Sequence, residues 1–429
     1  MATIDRSIEP TFGLIDKVEM IKASATKLDN GIPVYSVNAG TQELVKIDLI
    51  FRAGVWFQDM LLEASTTNAM LDEGTSNRKA EELSEALDYF GSYLELDVDQ
   101  DWAFVTVYSL NKHLKNVLPV VEELLKSSIF PQEELDIVLN NKKQGFLVDN
   151  KKGSYISRTR FSSILFGADH NYSYKLQLED FDKLKRDHVK SFYEKFYRST
   201  NCKIVVSGLI EDSVLKLLNQ YFGGSDWKGN IALNSNDNSE FISDLKKKHF
   251  IEKDDSVQST IRIGRVLFNK IHTDYHGMKM VNTILGGYFG SRLMANIREE
   301  KGYTYGIGSR MVSMNNAGYI YISTEVGTKV CDDAVNEIYK EIDKLRNELV
   351  SSEELNLVKN YMMGDFLRSA DGPFALADKF KKIMFYDLSY SYYDEFVKTV
   401  KTITPEQIQS LADQYLNPDD LYELVVGKK

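Results

Sequence analysis

From 46 to 51 polar and apolar side chains alternate, with Ile47, Leu49 and Phe51 on one side, which predicts a half-buried strand. A helix follows over 61–70 and a Gly74-Thr75 loop closes it. A second strand over 103–108 precedes a stretch in which Leu114, Val117, Leu118, Val121 and Leu125 recur at helical spacing as one apolar stripe. The same order returns in the second half of the chain. A strand over 259–266, with Ile261 and Ile263 alternating, leads to a helix over 278–285 and a glycine loop. A strand over 318–324 then leads to a helix striped by Val335, Ile338, Ile342 and Leu345. Each half closes on an aromatic helix end, 191–197 or 411–416, that runs into a valine-rich strand at 203–208 or 424–427.

This internal repetition covers nearly the whole chain. It predicts two α+β domains of similar topology, each a largely antiparallel sheet with helices on one face. The polar, weakly patterned run around Asn234 to Ser239 reads as a linker. The expected division is a first domain over 1–228, a linker over 229–245 and a second domain over 246–429. A length of 429 residues suits two such domains.

Composition narrows the function classes. Apolar residues make up 43% and charged residues 27%, which is ordinary for a globular protein. The net charge of −11 argues against nucleic acid, whose binding needs a basic face. No stretch reaches the apolar length of a membrane span, so membrane insertion is not expected. The opening residues lack a basic segment followed by an apolar run, which gives a cytoplasmic expectation, with the periplasm as the alternative if a signal has been removed. Cys202 and Cys331 sit in different halves, each in or beside an apolar segment. One disulfide or two free buried thiols both fit, and free thiols are the favoured reading.

The candidate chemistry centres on GGYFGSRLMANIREEKGYTY, residues 286–305. Gly286, Gly287 and Gly290 form a flexible approach, Ser291 is a candidate N-cap, and Gly302 ends the helix as a left-handed C′ residue. Tyr303 and Tyr305 then begin a period-two run, so that Arg298 and Tyr305 converge across the helix end. No carboxylate lies one turn from Arg298: Met294, Ala295, Lys301 and Gly302 hold those positions. The string resembles the C-terminal half of the insulinase and mitochondrial-processing-peptidase clan, the M16 zinc peptidases. In that family an H-x-x-E-H helix stands before a Gly-Thr loop in the N-terminal half. Counted back from Gly74-Thr75, those five positions are Ser65, Thr66, Thr67, Asn68 and Ala69. Hydroxyls, an amide and a methyl cannot replace imidazole and carboxylate around zinc. The family's third ligand, a Glu, belongs in a helix over 135–147, where this chain has Asn140, Asn141, Lys142 and Lys143 and no Glu.

The resemblance implies a half-clamshell fold and, because the full chamber takes four such domains, a second chain. It implies a non-catalytic subunit that binds no metal, with Arg298 and Tyr305 as a substrate-binding pair for unfolded or short peptides. Zinc would then reside in a homologous partner, as a heterodimer, with a homodimer when the chain is alone. The alternative is a structural or peptide-binding protein without associated proteolysis. One rival metal site exists, His272 and His276 at i, i+4 spacing. It lies between a strand and a helix, where Asp274 reads as a cap or turn residue, and no third ligand is identifiable. The glycine loop lacks the GK[ST] ending of a phosphate loop, and no G-x-S-x-G nucleophile elbow occurs.

Overall fold

The computed structural model describes residues 19–229 and 240–428. The expected linker therefore lies outside the described residues over 230–239. Eleven strands form two sheets. The first contains β1 (Ser24–Lys27), β2 (Pro33–Asn38), β3 (Leu44–Phe51), β4 (Tyr93–Val98), β5 (Ala103–Leu110) and β6 (Cys202–Gly208), in the order β1-β2-β6-β3-β5-β4. The second contains β7 (Lys248–Glu252), β8 (Gln258–Leu267), β9 (Ile307–Ser313), β10 (Gly318–Gly327) and β11 (Tyr422–Gly427), in the order β7-β11-β8-β10-β9. Without β1 the two orders coincide position by position. Each sheet has one parallel pair, β2 with β6 and β7 with β11, and is otherwise antiparallel. The repetition read in the sequence is thus a repetition of topology.

The apolar stripes face the sheets. Leu114, Val117, Leu118, Val121 and Leu125, on the helix Leu114–Ser127, join β3, β5 and β6 in the first core. Val335, Ile338, Ile342 and Leu345, on the helix Cys331–Asn347, do the same in the second.

The strand at 46–51 departs from expectation. Lys46 and Asp48 should be its wet face, yet both are buried along with the rest of β3. The reason lies far along the chain: the helix Pro373–Met384 lies across β2 and β6 and covers that face. The polar residues survive burial because they are paired. Asp48 Oδ1 accepts from Thr106 at 2.8 Å and stands 3.2 Å from Lys381 Nζ, while Lys46 Nζ stands 3.2 Å from Asp378. Burial alone would lower the Lys46 pKa, but Asp48 and Asp378 outweigh it and hold the ammonium well above its ordinary value. The arrangement is reciprocal. The helix Gly153–Phe166 of the first half packs on β8 and β11 of the second sheet, and Phe161 and Leu165 share a core with Leu424 and Val426.

Both cysteines are buried and neither is part of a disulfide. Among the described residues no helix is long and apolar enough to cross a membrane.

Candidate functional site

The zinc-type positions fall on a short helix, Glu63–Ala69, which starts at Leu62 in a left-handed conformation with φ 73°. Its side chains are committed to the protein. Asn68 donates both amide hydrogens to backbone, to Asp97 C=O in β4 at 2.9 Å and to Phe104 C=O in β5 at 3.2 Å. The Thr67 hydroxyl donates back to Glu63 C=O at 2.7 Å, and Ala69 has no donor atom to offer. Lys142, from the helix Gln132–Asp149, reaches across and places its ammonium 3.4 Å from both the Ser65 hydroxyl and the Ser65 carbonyl. Burial lowers the Lys142 pKa, as it must for a cation with no carboxylate beside it. These residues do not fit a zinc ion. The donor atoms are neutral hydroxyl and amide oxygens, of which Thr66 Oγ1 and Asn68 Oδ1 are buried without a partner, and a cation occupies the approach. Among the described residues no group of three or more His, Cys, Asp or Glu side chains is arranged to hold a metal.

The two histidines at i, i+4 do not make a metal face. The His272 ring stacks on Phe268 at 3.9 Å, and its Nδ1 accepts from the Asp274 N–H at 3.1 Å. The His276 ring is buried against Tyr392 at 4.4 Å, and burial with help from Lys279 pushes its pKa down to about 4. Asp274 does stand at the N-cap of the helix Tyr275–Asn282, but its carboxylate accepts from Tyr415 at 2.6 Å rather than from a backbone N–H.

In the glycine-rich stretch the structure corrects several details. Gly286 is buried, not flexible: a side chain there would collide with the Ser309 backbone of β9 at 2.7 Å, so glycine is what lets the strand pass. Ser291 begins the next helix with its carbonyl, which accepts from Ala295, while its buried hydroxyl makes no hydrogen bond. That helix widens over Met294–Glu300 into π-type spacing, with Lys301 N–H bonded to Asn296 C=O at 2.9 Å. Gly302 follows with φ +67°, the left-handed residue expected. The strand starts later than the sequence suggested, at Ile307.

Arg298 and Tyr305 flank this turn but are not joined. No hydrogen bond or ring contact links them among the described residues. The Arg298 guanidinium lies over the Phe289 ring, 4.6 Å from its centre, and forms no ion pair there. Thr304 fixes the loop, donating to Glu325 C=O of β10 at 2.7 Å, and Tyr305 next to it projects outward, 94% exposed. An unpaired guanidinium and a free phenol therefore stand on either side of one turn, each with spare hydrogen-bonding capacity. Phe289 was not singled out by sequence reasoning. An aromatic two residues after a Gly-Gly pair carries no signal until its cation is seen.

The fold is a peptidase-type half-clamshell, and the helix at the expected zinc-motif positions carries no imidazole or carboxylate at Ser65, Asn68 or Ala69. Residues 183–362 match the family model described as the peptidase M16 inactive domain. A Bacillus subtilis (strain 168) protein named uncharacterized zinc protease YmxG is 22% identical over 83% of this chain and 86% of its own length. A Helicobacter pylori protein named non-peptidase homolog YmxG is 24% identical over 74% of each chain. The crystal structure of a peptidase M16 inactive domain from Pseudomonas fluorescens superposes with a TM-score of 0.84 at 21% identity, covering 95% of this chain and 98% of that one. Over residues 183–362 the chain is thus similar to the inactive type of M16 domain, and its fold as a whole is M16 peptidase-like.

Proposed function

We propose that this chain is the non-catalytic subunit of a two-chain M16 peptidase. A zinc-bearing homologue supplies the metal and the general base. This chain supplies half of the chamber wall, with the first domain ending near residue 228, and lends Arg298 and Tyr305 to the bound peptide. The observation that carries the reading is a contrast within one molecule: the zinc-motif positions bond to the backbone of β4, β5 and their own helix and to Lys142, while Arg298 makes only a ring contact with Phe289 and Tyr305 stands exposed. A guanidinium can donate two parallel hydrogen bonds to a peptide carbonyl, and a phenol can donate to the oxyanion that forms as water attacks. Unfolded or short peptides are the substrates, because a closed chamber excludes folded proteins. Two buried thiols outside any disulfide suit a reducing compartment, which favours the cytoplasm.

The test is to assay peptide hydrolysis by this chain, by the zinc-bearing homologue and by their mixture. Activity should rise on mixing, and Arg298→Ala or Tyr305→Phe should lower it by about tenfold to a hundredfold without preventing assembly. No rise on mixing rules out the subunit role. Unchanged turnover in both variants assigns the pair to structure. The separation of Arg298 from Tyr305 favours one second reading, a peptide-binding protein without proteolysis, for which the mixture would bind peptide and leave it intact.

A further inference from the structure

A cavity of about 950 Å³ opens beside the glycine loop, between β9, β10 and the helices Tyr275–Asn282, Ser352–Arg368, Pro373–Met384 and Ser391–Thr402. Its size is that of a small-molecule site. Its charge is unbalanced. Lys270, Lys279, Arg310, Lys379 and Lys382 line it, against the single carboxylate of Asp365. Asp365 is itself paired, 2.7 Å from Arg368. None of the four lysines forms an ion pair among the described residues. They lean on rings instead: Lys379 lies 4.1 Å from the Phe366 ring centre and Lys279 lies 4.8 Å from that of Phe396. Lys379 is only 7% exposed.

Lys379 is buried and Lys270 half-buried, while Lys279 and Lys382 reach solvent, and like charges gathered in this way without a counter-charge are costly. Burial and then the charges of Lys382 and Lys279 push Lys270 and Lys379 down to about 8, so at pH 7 roughly nine-tenths of each still carries its proton. Lys279 is lowered as well, by burial and Lys382, although its side chain keeps contact with solvent. The other titratable and charged groups around these lysines are Asp99, Asp365, Arg310, His276 and the tyrosines Tyr275, Tyr288, Tyr321, Tyr361, Tyr386, Tyr392 and Tyr393, and the two carboxylates leave the balance cationic. Tyr275, Tyr288, Tyr361 and Tyr392 give the walls flat apolar surface with hydroxyl ends.

We propose that this cavity binds a small organic dianion, an aromatic or apolar body bearing carboxylate or phosphate charge. The lysines meet the charge and the rings meet the body. The cavity adjoins the Arg298 and Tyr305 turn through Phe289 and Gly306, but neither Arg298 nor Tyr305 lines it, and dianion binding is measured on this chain without a partner.

Calorimetric titration of the full chain with phenyl phosphate, with isophthalate and with neutral isophthalamide tests this at constant ionic strength. At least one dianion should bind saturably while isophthalamide does not, and the stronger of the two assigns phosphate or carboxylate. Lys279→Met and Lys379→Met should weaken binding tenfold or more, whereas Lys340→Met, on an exposed lysine paired with Glu337, should leave it unchanged. Near pH 8, binding should take up protons, seen as a heat that depends on the ionisation enthalpy of the buffer, because the bound anion restores the lysine charges. Should Lys379→Met fail to fold, Lys382→Met, on the exposed rim, carries the comparison. The proposal is overturned if neither dianion binds at millimolar concentration, if isophthalamide binds equally well, or if the lysine variants bind as the parent does.

Discussion

At the scale of single residues, the placement of Lys142 weighs on metal binding at least as much as the side chains of Ser65, Asn68 and Ala69 do. Three substitutions could restore the H-x-x-E-H donors, yet Lys142 would still hold a cation 3.4 Å from the Ser65 hydroxyl. A dication and an ammonium at such range repel strongly in a partly buried setting. We therefore expect Ser65→His/Asn68→Glu/Ala69→His to bind zinc poorly, and the addition of Lys142→Glu to tighten binding at least tenfold, read by competition with a chelating dye. Asn68→Glu carries a cost of its own, about 1–3 kcal/mol, since it removes the amide hydrogens from Asp97 C=O and Phe104 C=O. Equal zinc affinity with and without Lys142→Glu would show that Lys142 does not guard the position.

At the scale of elements, β3 and the helix Pro373–Met384 depend on each other through charge. Asp48 is 1% exposed, and its removal leaves Lys46 and Lys381 to share Asp378, itself half exposed. Breaking a buried pair from one side costs about 3–5 kcal/mol, so Asp48→Ala should lower the urea midpoint far more than Asp378→Ala does, with the slope unchanged. Similar losses in both variants would mean that Asp48 is not the centre of the network. This network also shows where reading the sequence reaches its limit. Alternation at 46–51 named the strand correctly because local sterics and burial on one side set that pattern. It could not name what covers Lys46 and Asp48, because that partner comes from more than three hundred residues away. The repeated succession of strands and helices, the apolar stripes and the left-handed Gly302 were legible for the same local reasons. The widened turn at Met294–Glu300, the closeness of Gly286 to β9 and the lysine-lined cavity arise from packing between elements, and no spacing in the chain announces them.

At the scale of the molecule, two repeats that look independent in sequence exchange helices in space. The helix Gly153–Phe166 covers β8 and β11, the helix Pro373–Met384 covers β2 and β6, and Trp102 of the first half stacks on Phe385 of the second with ring centres 4.7 Å apart. Asp101 adds a polar clasp, accepting from Tyr172 at 2.5 Å and from the Asn315 N–H at 2.9 Å. Val37, Ile50 and Val205 of the first sheet belong to the same apolar cluster as the core of the second half. Repeats joined only by a linker would unfold separately. Helices exchanged over both sheets should instead couple the halves into one cooperative unit. Phe161→Ala removes a buried ring from the helix that covers β8 and β11 and should cost about 3–5 kcal/mol. Hydrogen exchange along a urea series should then show β2, β3 and β6 losing protection at the same lowered urea concentration as β8 and β11. If β8 and β11 shift alone, the halves are coupled only through their interface, and the clamshell can open without either sheet coming apart.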